Sequence, residues 1–594
     1  MPCPQLPERT ALVFQGAVLG LRHTRTGSET IVTDLRVADE RVPGIARVAL
    51  PLRNARRWIA RFEPHDVATV VLLAALLVTA LLTYRDYAIS NDEGVQHRYG
   101  ELIIAYYKSG FSDQGLFSFQ NLYLYGGLFD IIAIALSHVV PIDPYDLRHI
   151  LCVLIGIGGI GAAAATARSI AGPRAGLIAA VSLTLCGAWY GSMFNHTKDI
   201  PFAAAMMGAT LFLIRIARRL PSPRAVDIAM FGLLAGAALG IRVIGLLLLI
   251  YVGFAIALYL PRPWLGHGRA LSSFAVKSIV LVSPALILAY VIMILAWPWA
   301  ALAPLNPVRG LLAFSEFDYG VRTVLTGRIY KMADVPRLYM PIYIMIRVPL
   351  LMLFGAALTM ISAQLLPRAS GSGQQQREIT LLSLMVLFPL ACQVIWQGPA
   401  FTGMRHFLFL VPVLAVLSGI GLDKVLAALE ARGRAAISGG LAIMTTFLLW
   451  DATTLVRLHP YEYLYYNSLV GGLEGASRRY DLDYWFGSMP EAINHLEAYL
   501  RRTEPGNESW PTRVYSVAVC GERLPFEKAV TLPQLKWDFK QEWSQSDFFI
   551  APTQLNCDGD VDGRIIGTVE RLGVVIAYVK DLRAPNPPET TARR

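Results

Sequence analysis

Asp92 and Glu93 stand together in SNDEGVQH, a few residues after the first long apolar run of the chain. A carboxylate at the end of a membrane-crossing segment is partly desolvated, which suits it to take a proton from a hydroxyl. An acidic pair in a solvated loop has the same appearance in sequence. Further charges stand at the edges of apolar runs: Lys198 and Asp199 in FNHTKDIPFA, Arg242 in the short turn of AALGIRVIG, and Arg405 with His406 in FTGMRHFLFLVP. Each cation taken alone reads equally as a side chain snorkelling to headgroups. Gathered on one membrane face, the same residues suit a different chemistry, in which cations hold a lipid phosphate and a nearby acid abstracts a proton. Asp92, Glu93 and Asp199 are therefore the candidate catalytic acids, and Lys198, Arg242, Arg405 and His406 the candidate binding residues.

Apolar helices must position these groups. The 594 residues are 54% hydrophobic and only 16% charged, against about 25% charged in a soluble chain. The net charge of +10 comes from basic residues between apolar runs, a placement that fits Lys and Arg on one side of a bilayer and argues against nucleic-acid binding. The first long run begins near Ala68, too deep for a secretory signal peptide, and reads as a retained span. Apolar runs near 67–84, 149–167, 175–194, 200–217, 225–241, 243–260, 277–297, 341–364, 379–396, 406–422 and 436–452 predict about eleven spans. The run Leu128–Val140 is short for a crossing and reads as an interfacial helix. Leaving it out puts the loops with Arg168/Arg174, Arg215/Arg218/Arg219/Arg224, Arg262/Arg269, Arg368/Arg377 and Lys424/Arg432/Arg434 on the cytoplasmic side. The cluster Arg53, Arg56, Arg57 and Arg61 puts the N-terminal tail, 1–64, there too.

The expected fold is mainly α, a polytopic membrane bundle over 65–455 with a large first outer loop, 85–146, and a second at 297–340. A small extracytoplasmic α/β domain, 456–594, follows. Within it RVYSVAVC and SDFFIA read as buried strands, RIIGTVERLGVVIAYVK as a hairpin, and MPEAINHLEAYLRR as a helix. Cys152, Cys186 and Cys392 lie in apolar runs and read as inert core residues. Cys520 and Cys557 fall in the tail, free to pair or not according to the compartment it faces. Asp481-Leu-Asp483 has the DxD form of metal-chelating nucleotide-sugar enzymes, but outside the cytoplasm it reads as structural. GIGGIGAAAA has small residues at close-packing spacing and reads as a helix contact. No Walker motif or Rossmann fingerprint is present, and the ten His form no metal-ligand pattern.

Over residues 65 to 500 the sequence resembles the GT-C superfamily of glycosyltransferases, in the branch holding protein O-mannosyltransferases and the lipid A aminoarabinose transferase. The resemblance is carried by DEG after the first span, KDIPFA opening the fourth, GxR between the fifth and sixth, and WPW before the second loop. RHFLFLVPVLAVLSGIGL, HPYEYLYYNSLVGG and LDYW follow in the family's order. It implies inverting transfer of a sugar from a polyprenyl-phosphate carrier to an acceptor hydroxyl on a lipid, glycan or protein at the outer membrane face. It further implies Asp92 as the base, Glu93 as its partner, Asp199 as a recurrent acid, and Arg242 and Arg405 as phosphate binders. The family's proline-rich acceptor-loop motif is replaced here by FQNLYLYGGLFD, so the acceptor is not carried over. Such chemistry needs one carboxylate and one or two Arg, and no metal or other cofactor is expected.

A transporter or lipid flippase would also place charges in a polytopic bundle, with broken or charged helices near the bilayer middle; a non-catalytic assembly protein whose tail binds a partner is a third reading. The topology has a direct check. Cysteine-accessibility labelling is expected to find positions near Asp113 and Asp481 open to outside reagent and Arg218 and Arg377 to inside reagent. Labelling of position 218 from outside would make 128–140 a span.

Overall fold

The computed structural model describes residues 63–260, 268–315, 320–365, 373–504, 513–538 and 540–583; the basic cluster 53–61 and Arg262 and Arg368 lie outside them. Helix starts follow the local sequence. Pro64–Thr83 opens on Pro64 with Glu63 and Asp66 capping each other, and Asp66 accepts from Arg168 Nη2 at 2.8 Å, tying the first span to the end of Pro144–Ala171. Pro144 sits in the first turn of that second helix, and Asp143 caps it by accepting from the Tyr145 amide.

Among the described residues seven helices are long and apolar enough to cross a membrane, or nine if each of two bent pairs is one span, which marks a multi-pass membrane protein. The bent pairs are Pro173–Thr184 with Gly187–Asn195, turning by 68°, and Tyr339–Arg347 with Leu350–Ala363, turning by 119°. The second break has a local cause: Pro349 drives Val348 out of the helical region, to φ −92° and ψ 138°. Arg347, buried at that break, donates to the Tyr463 carbonyl and lies 4.5 Å from the Tyr466 ring centroid. Of the eleven expected spans, 225–241 and 243–260 appear as shorter apolar helices, Ala225–Leu239 and Val243–Leu258. The Gly240–Arg242 turn shortens both. Leu128–Ser137 is also short, 10 residues or about 15 Å of helix.

Asp199–Ala217 and Arg405–Glu430 form the buried centre of the bundle. They pack closely because small residues let backbones meet. A Cβ on Gly421 would lie 2.2 Å from the Gly355 carbonyl oxygen, and one on Gly159, in the GIGGIG run, would lie 2.7 Å from the Trp189 ring. By contrast Pro64–Thr83 and Arg434–Leu458 are scarcely buried by protein, as expected of lipid-facing helices.

The C-terminal region holds a five-stranded sheet in the order β4-β3-β5-β7-β6. β3 (Tyr515–Val519) pairs in parallel with β4 (Leu535–Asp538) and β5 (Phe548–Pro552), and β5 pairs antiparallel with β7 (Val574–Asp581). β6 (Arg564–Arg571) and β7 form the expected hairpin, turning through Leu572 and Gly573, both at positive φ as a tight primed turn requires. The amphipathic helix Met489–Thr503 buries Ile493, Leu496 and Leu500. Cys520 and Cys557 are joined in a disulfide.

Asp481 fastens this region to the bundle. Its carboxylate accepts from Thr323 in the hairpin of β1 (Arg322–Leu325) and β2 (Arg328–Lys331), from Tyr339 and Tyr343 at 3.2 Å, from the Gly403 amide at 3.0 Å and from Gln554. Asp483 likewise takes Tyr463, Ser488 and the Gly487 amide. The DxD pair is thus spent on structure. Asp481 is also 1% exposed, so a cysteine there is out of reach of reagent from either side, contrary to the labelling expectation. Asp113, which is exposed, remains a usable outer reporter.

The disulfide closes a loop of 37 residues. Non-reducing peptide mapping is expected to recover the linked pair, and Cys557→Ser to destabilise the C-terminal region by about 3–4 kcal/mol, seen as faster limited proteolysis at unchanged bundle content.

Candidate active site

The turn carrying Arg242 is shaped by a close backbone approach. A Cβ on Gly126 would come within 2.0 Å of the Gly240 carbonyl oxygen, so only glycine lets the outer loop lie against the turn. The Leu128 amide then donates to that carbonyl at 3.0 Å, and the Gly127 amide to Ala296 at 2.9 Å. The unusual segment FQNLYLYGGLFD is therefore a clasp: it seats Tyr125 beside Arg242 at the wall of a cavity and holds Arg242 in an extended conformation, φ −140° and ψ 135°.

Asp199 opens the central helix Asp199–Ala217. Its carboxylate is shared by two guanidiniums: Arg242 Nη2 bonds Oδ1, and Arg405 Nε stands 3.6 Å from Oδ2. Arg405 reaches on to Asp92 Oδ2 at 3.1 Å and lies 4.3 Å from the Trp485 ring centroid. The row Arg242–Asp199–Arg405–Asp92 thus joins four of the expected residues, supplied by four separate segments. Asp92 is the outermost, with a side chain 42% exposed. Among the described residues the Nε atoms of Arg242 and Arg405 are buried with no hydrogen-bond acceptor, and buried donors without partners are costly. The Arg405 Nε faces Asp199 just beyond hydrogen-bond reach, and the Arg242 Nε has no acceptor.

Lys198, buried beside them, holds its ammonium 4.6 Å from the Tyr125 ring centroid. Loss of hydration lowers its pKa to about 8, so it is charged at neutral pH and lies close to its titration. His196, in the same turn, is pushed down to about 3 by burial and is neutral, packed among Tyr463, Tyr484 and Trp485. His406 packs on Phe401 with ring centroids 4.6 Å apart.

Arg242 and His406 form the polar end of a groove of about 490 Å³. Its walls are otherwise largely apolar: Val243, Leu247 and Ile250 from one helix, Leu311 and Leu312 from Asn306–Ser315, and Phe388 and Trp396 from Gly373–Trp396. An apolar groove ending at a buried cation suits a long hydrocarbon chain with an anionic head.

Glu93 turns away from this row. Fully buried, its carboxylate lies 3.2 Å from His149 Nε2 and accepts from the Ser90 amide at 2.7 Å, with Arg148 Nε 4.0 Å off. Arg148 in turn donates to Asp130 at 2.8 Å and to Thr197 at 3.0 Å. The sequence reading missed this network, although Asp130 inside a short apolar helix was its signal: a charge there needs a partner. Trp485 and His196 were missed as well. Among the described residues no group of three His, Cys, Asp or Glu side chains gathers to hold a metal.

Solved structures with a similar fold are membrane glycosyltransferases of the GT-C type. ArnT from Cupriavidus metallidurans, bound to undecaprenyl phosphate, shares 14% identity at a TM-score of 0.43, over 86% of this chain and 97% of that one. The oligosaccharyltransferase AglB from Archaeoglobus fulgidus, with an inhibitory peptide and a dolichol-phosphate, shares 13% at 0.42, over 81% and 69%. The mycobacterial arabinofuranosyltransferase AftD shares 13% at 0.38, over 86% and 41%. No family model matches the chain, and no curated protein matches it. Likeness at this level fixes neither a substrate nor the role of a residue.

The two acids of SNDEG are expected to separate on mutation. Glu93→Gln takes the carboxylate from His149 and leaves Asp130 alone to face Arg148 in a buried network, and should cost about 3–5 kcal/mol. Asp92→Asn, at a half-exposed site, should leave thermal unfolding in detergent nearly unchanged. Equal melting of the two variants would show that Glu93 does not hold the fold.

Proposed function

We propose that the chain is a membrane glycosyltransferase that moves a sugar from a polyprenyl-phosphate carrier to an acceptor hydroxyl at the outer face of the cell's inner membrane. The observation that carries this is buried Arg242 at the polar end of an apolar groove, sharing Asp199 with a second guanidinium, that of Arg405. The groove takes the isoprenoid chain, and Arg242, Arg405 and Lys198 take the phosphate by charge-assisted contacts.

Asp92 is the base. Its Oδ2 is held by Arg405, and among the described residues no donor reaches Oδ1, which leaves that oxygen to accept the proton of the acceptor hydroxyl. The acceptor oxygen bonds to C1 of the sugar as the bond from C1 to the phosphate oxygen breaks. The proton passes to Asp92, and the departing polyprenyl phosphate keeps the bond's electron pair, its charge met by the guanidiniums. One such displacement inverts C1. Asp199 is a positioning residue: it fixes the geometry of both guanidiniums and stays clear of the reacting atoms. Outer-face placement is supported by the Cys520–Cys557 disulfide, since such bonds persist in oxidising compartments.

With undecaprenyl phosphate as probe in detergent, Arg242→Ala and Arg405→Ala are each expected to lose about 1.5–3 kcal/mol of binding. Asp92→Asn should bind the probe normally, while turnover, read by lipid-linked-sugar profiling of cells carrying it, falls by about 10²–10⁴. Normal turnover by that variant, or unchanged binding in both Arg variants, would overturn the assignment.

A further inference from the structure

A second cavity, of about 400 Å³, opens beside Asp92 and shares no lining residue with the apolar groove. We propose that this cleft is the acceptor subsite and that it is built for a neutral polyhydroxylated ligand, a sugar residue. The proposal rests on the glycosyl-transfer reading above and adds to it a site, a ligand class and a role for the C-terminal region.

One wall is the start of the helix Glu93–Lys108 with Asn91 before it; the other is the segment 522–527 of the C-terminal region. Asn91 is the chain neighbour of Asp92, and the charge of Asp92 is felt at the Glu522 carboxyl of the facing wall. The C-terminal segment is fastened at this place by independent ties. The Glu522 amide donates to Asn91 Oδ1 at 3.2 Å, and Lys528 donates to Asp143 at 3.0 Å. The Cys520–Cys557 bridge anchors the chain just before Gly521. Gly94 in the opposite wall lies close to this segment, since a Cβ there would stand 2.5 Å from Leu524 Cδ2.

Charge selects the ligand class. The lining holds Arg98 and Arg523 against Glu522 and Glu527, and Arg98 and Arg523 are already paired, with Glu101 at 2.8 Å and Glu527 at 2.7 Å. Burial lowers the pKa of His97, which is neutral at pH 7. With both cations already paired, the cleft offers an anion no free partner, and its remaining carboxylate, Glu522, is left to accept from hydroxyls. It offers instead an amide at Asn91 and a carboxylate at Glu522 that no cation among the described residues reaches. The His97 and Tyr145 rings stand beside them, 5.5 Å apart and tilted by 41°. Adjacent hydroxyls of a sugar fit the amide and carboxylate, and its C–H faces fit the rings. Crowding against the wall, and then the charge of Asp92, push the Glu522 carboxyl above its ordinary range, a sign of how near the cleft lies to the base.

The test uses the full chain in nanodiscs, with Cys3 and Cys392 replaced by Ser and Val95→Cys placed in the cleft as a reporter thiol. Methyl hexosides (glucoside, mannoside and galactoside in turn) are the probes, and maleimide labelling of position 95 is the readout. At about twice its Kd, a bound sugar should slow labelling about threefold, and Glu522→Gln should abolish that protection. Undecaprenyl phosphate binding is measured on the same preparations. It reports that each variant is folded, and its loss from the parent protein would sink the donor reading and not this one. With that binding intact, absence of protection by every hexoside overturns the acceptor subsite. Protection by choline or inorganic phosphate in their place overturns the ligand class, and protection that survives Glu522→Gln removes Glu522 from it.

Discussion

Two guanidiniums stripped of water at the end of a helical bundle repel each other, and neither is tolerated without an anion in reach. Asp199 supplies that anion to both Arg242 and Arg405, and much of the surrounding architecture serves to bring the three together. The central helix begins on Asp199 because the preceding apolar pair bends and ends at Asn195. Arg242 reaches it because glycines let the outer loop press on the Gly240 turn. Arg405 reaches it from a loop whose Gly403 amide is held by Asp481. A carboxylate shared between two guanidiniums fixes the place of both.

The same physical solution recurs in three buried carboxylates that hold structure. Glu93 and Asp130 balance Arg148 and His149 where the outer loop meets the second span, and Asp481 collects hydroxyl, amide and backbone donors from the hairpin, the bent span and the C-terminal region. Each sits where segments distant in sequence must stay in register. Deeply buried polar networks of this kind are costly when half made and rigid when complete. The loops that meet the hairpin and the C-terminal region are tied by such hubs as well as by apolar packing.

Much of this was legible in the sequence. Apolar runs gave the helices, and the strand and hairpin patterns of the tail gave β3, β5, β6 and β7. Charges at span edges gave Asp92, Asp199, Arg242 and Arg405, because an ionisable group at an apolar border needs a reason to be there. What the sequence did not yield were partners. Nothing in SNDEG says that Asp92 faces Arg405 while its neighbour Glu93 faces inward to Arg148, since one residue of helix rotates a side chain by about 100°. The break at Arg242 was legible, but the helices expected over 225–241 and 243–260 end earlier, at Leu239 and Leu258, because a run of hydropathy does not show where helical bonding stops. Tyr125 and Trp485, which sit against Lys198 and Arg405, are aromatic residues among many and carry no signal of their own.

The helix Arg434–Leu458, which the bundle hardly covers, is the only covalent link by which the C-terminal region continues from the rest of the chain. Its upper end is tied to that region, with Asp451 accepting from Tyr465 at 2.7 Å, while its flanks are left to lipid. A helix so placed behaves as a tether rather than a strut. When the surrounding bilayer thickens or thins, it can tilt to match, and the hub at Asp481 keeps the C-terminal region seated on the outer loops. Membrane strain is then absorbed at the periphery, and the row of charges at the centre is spared it.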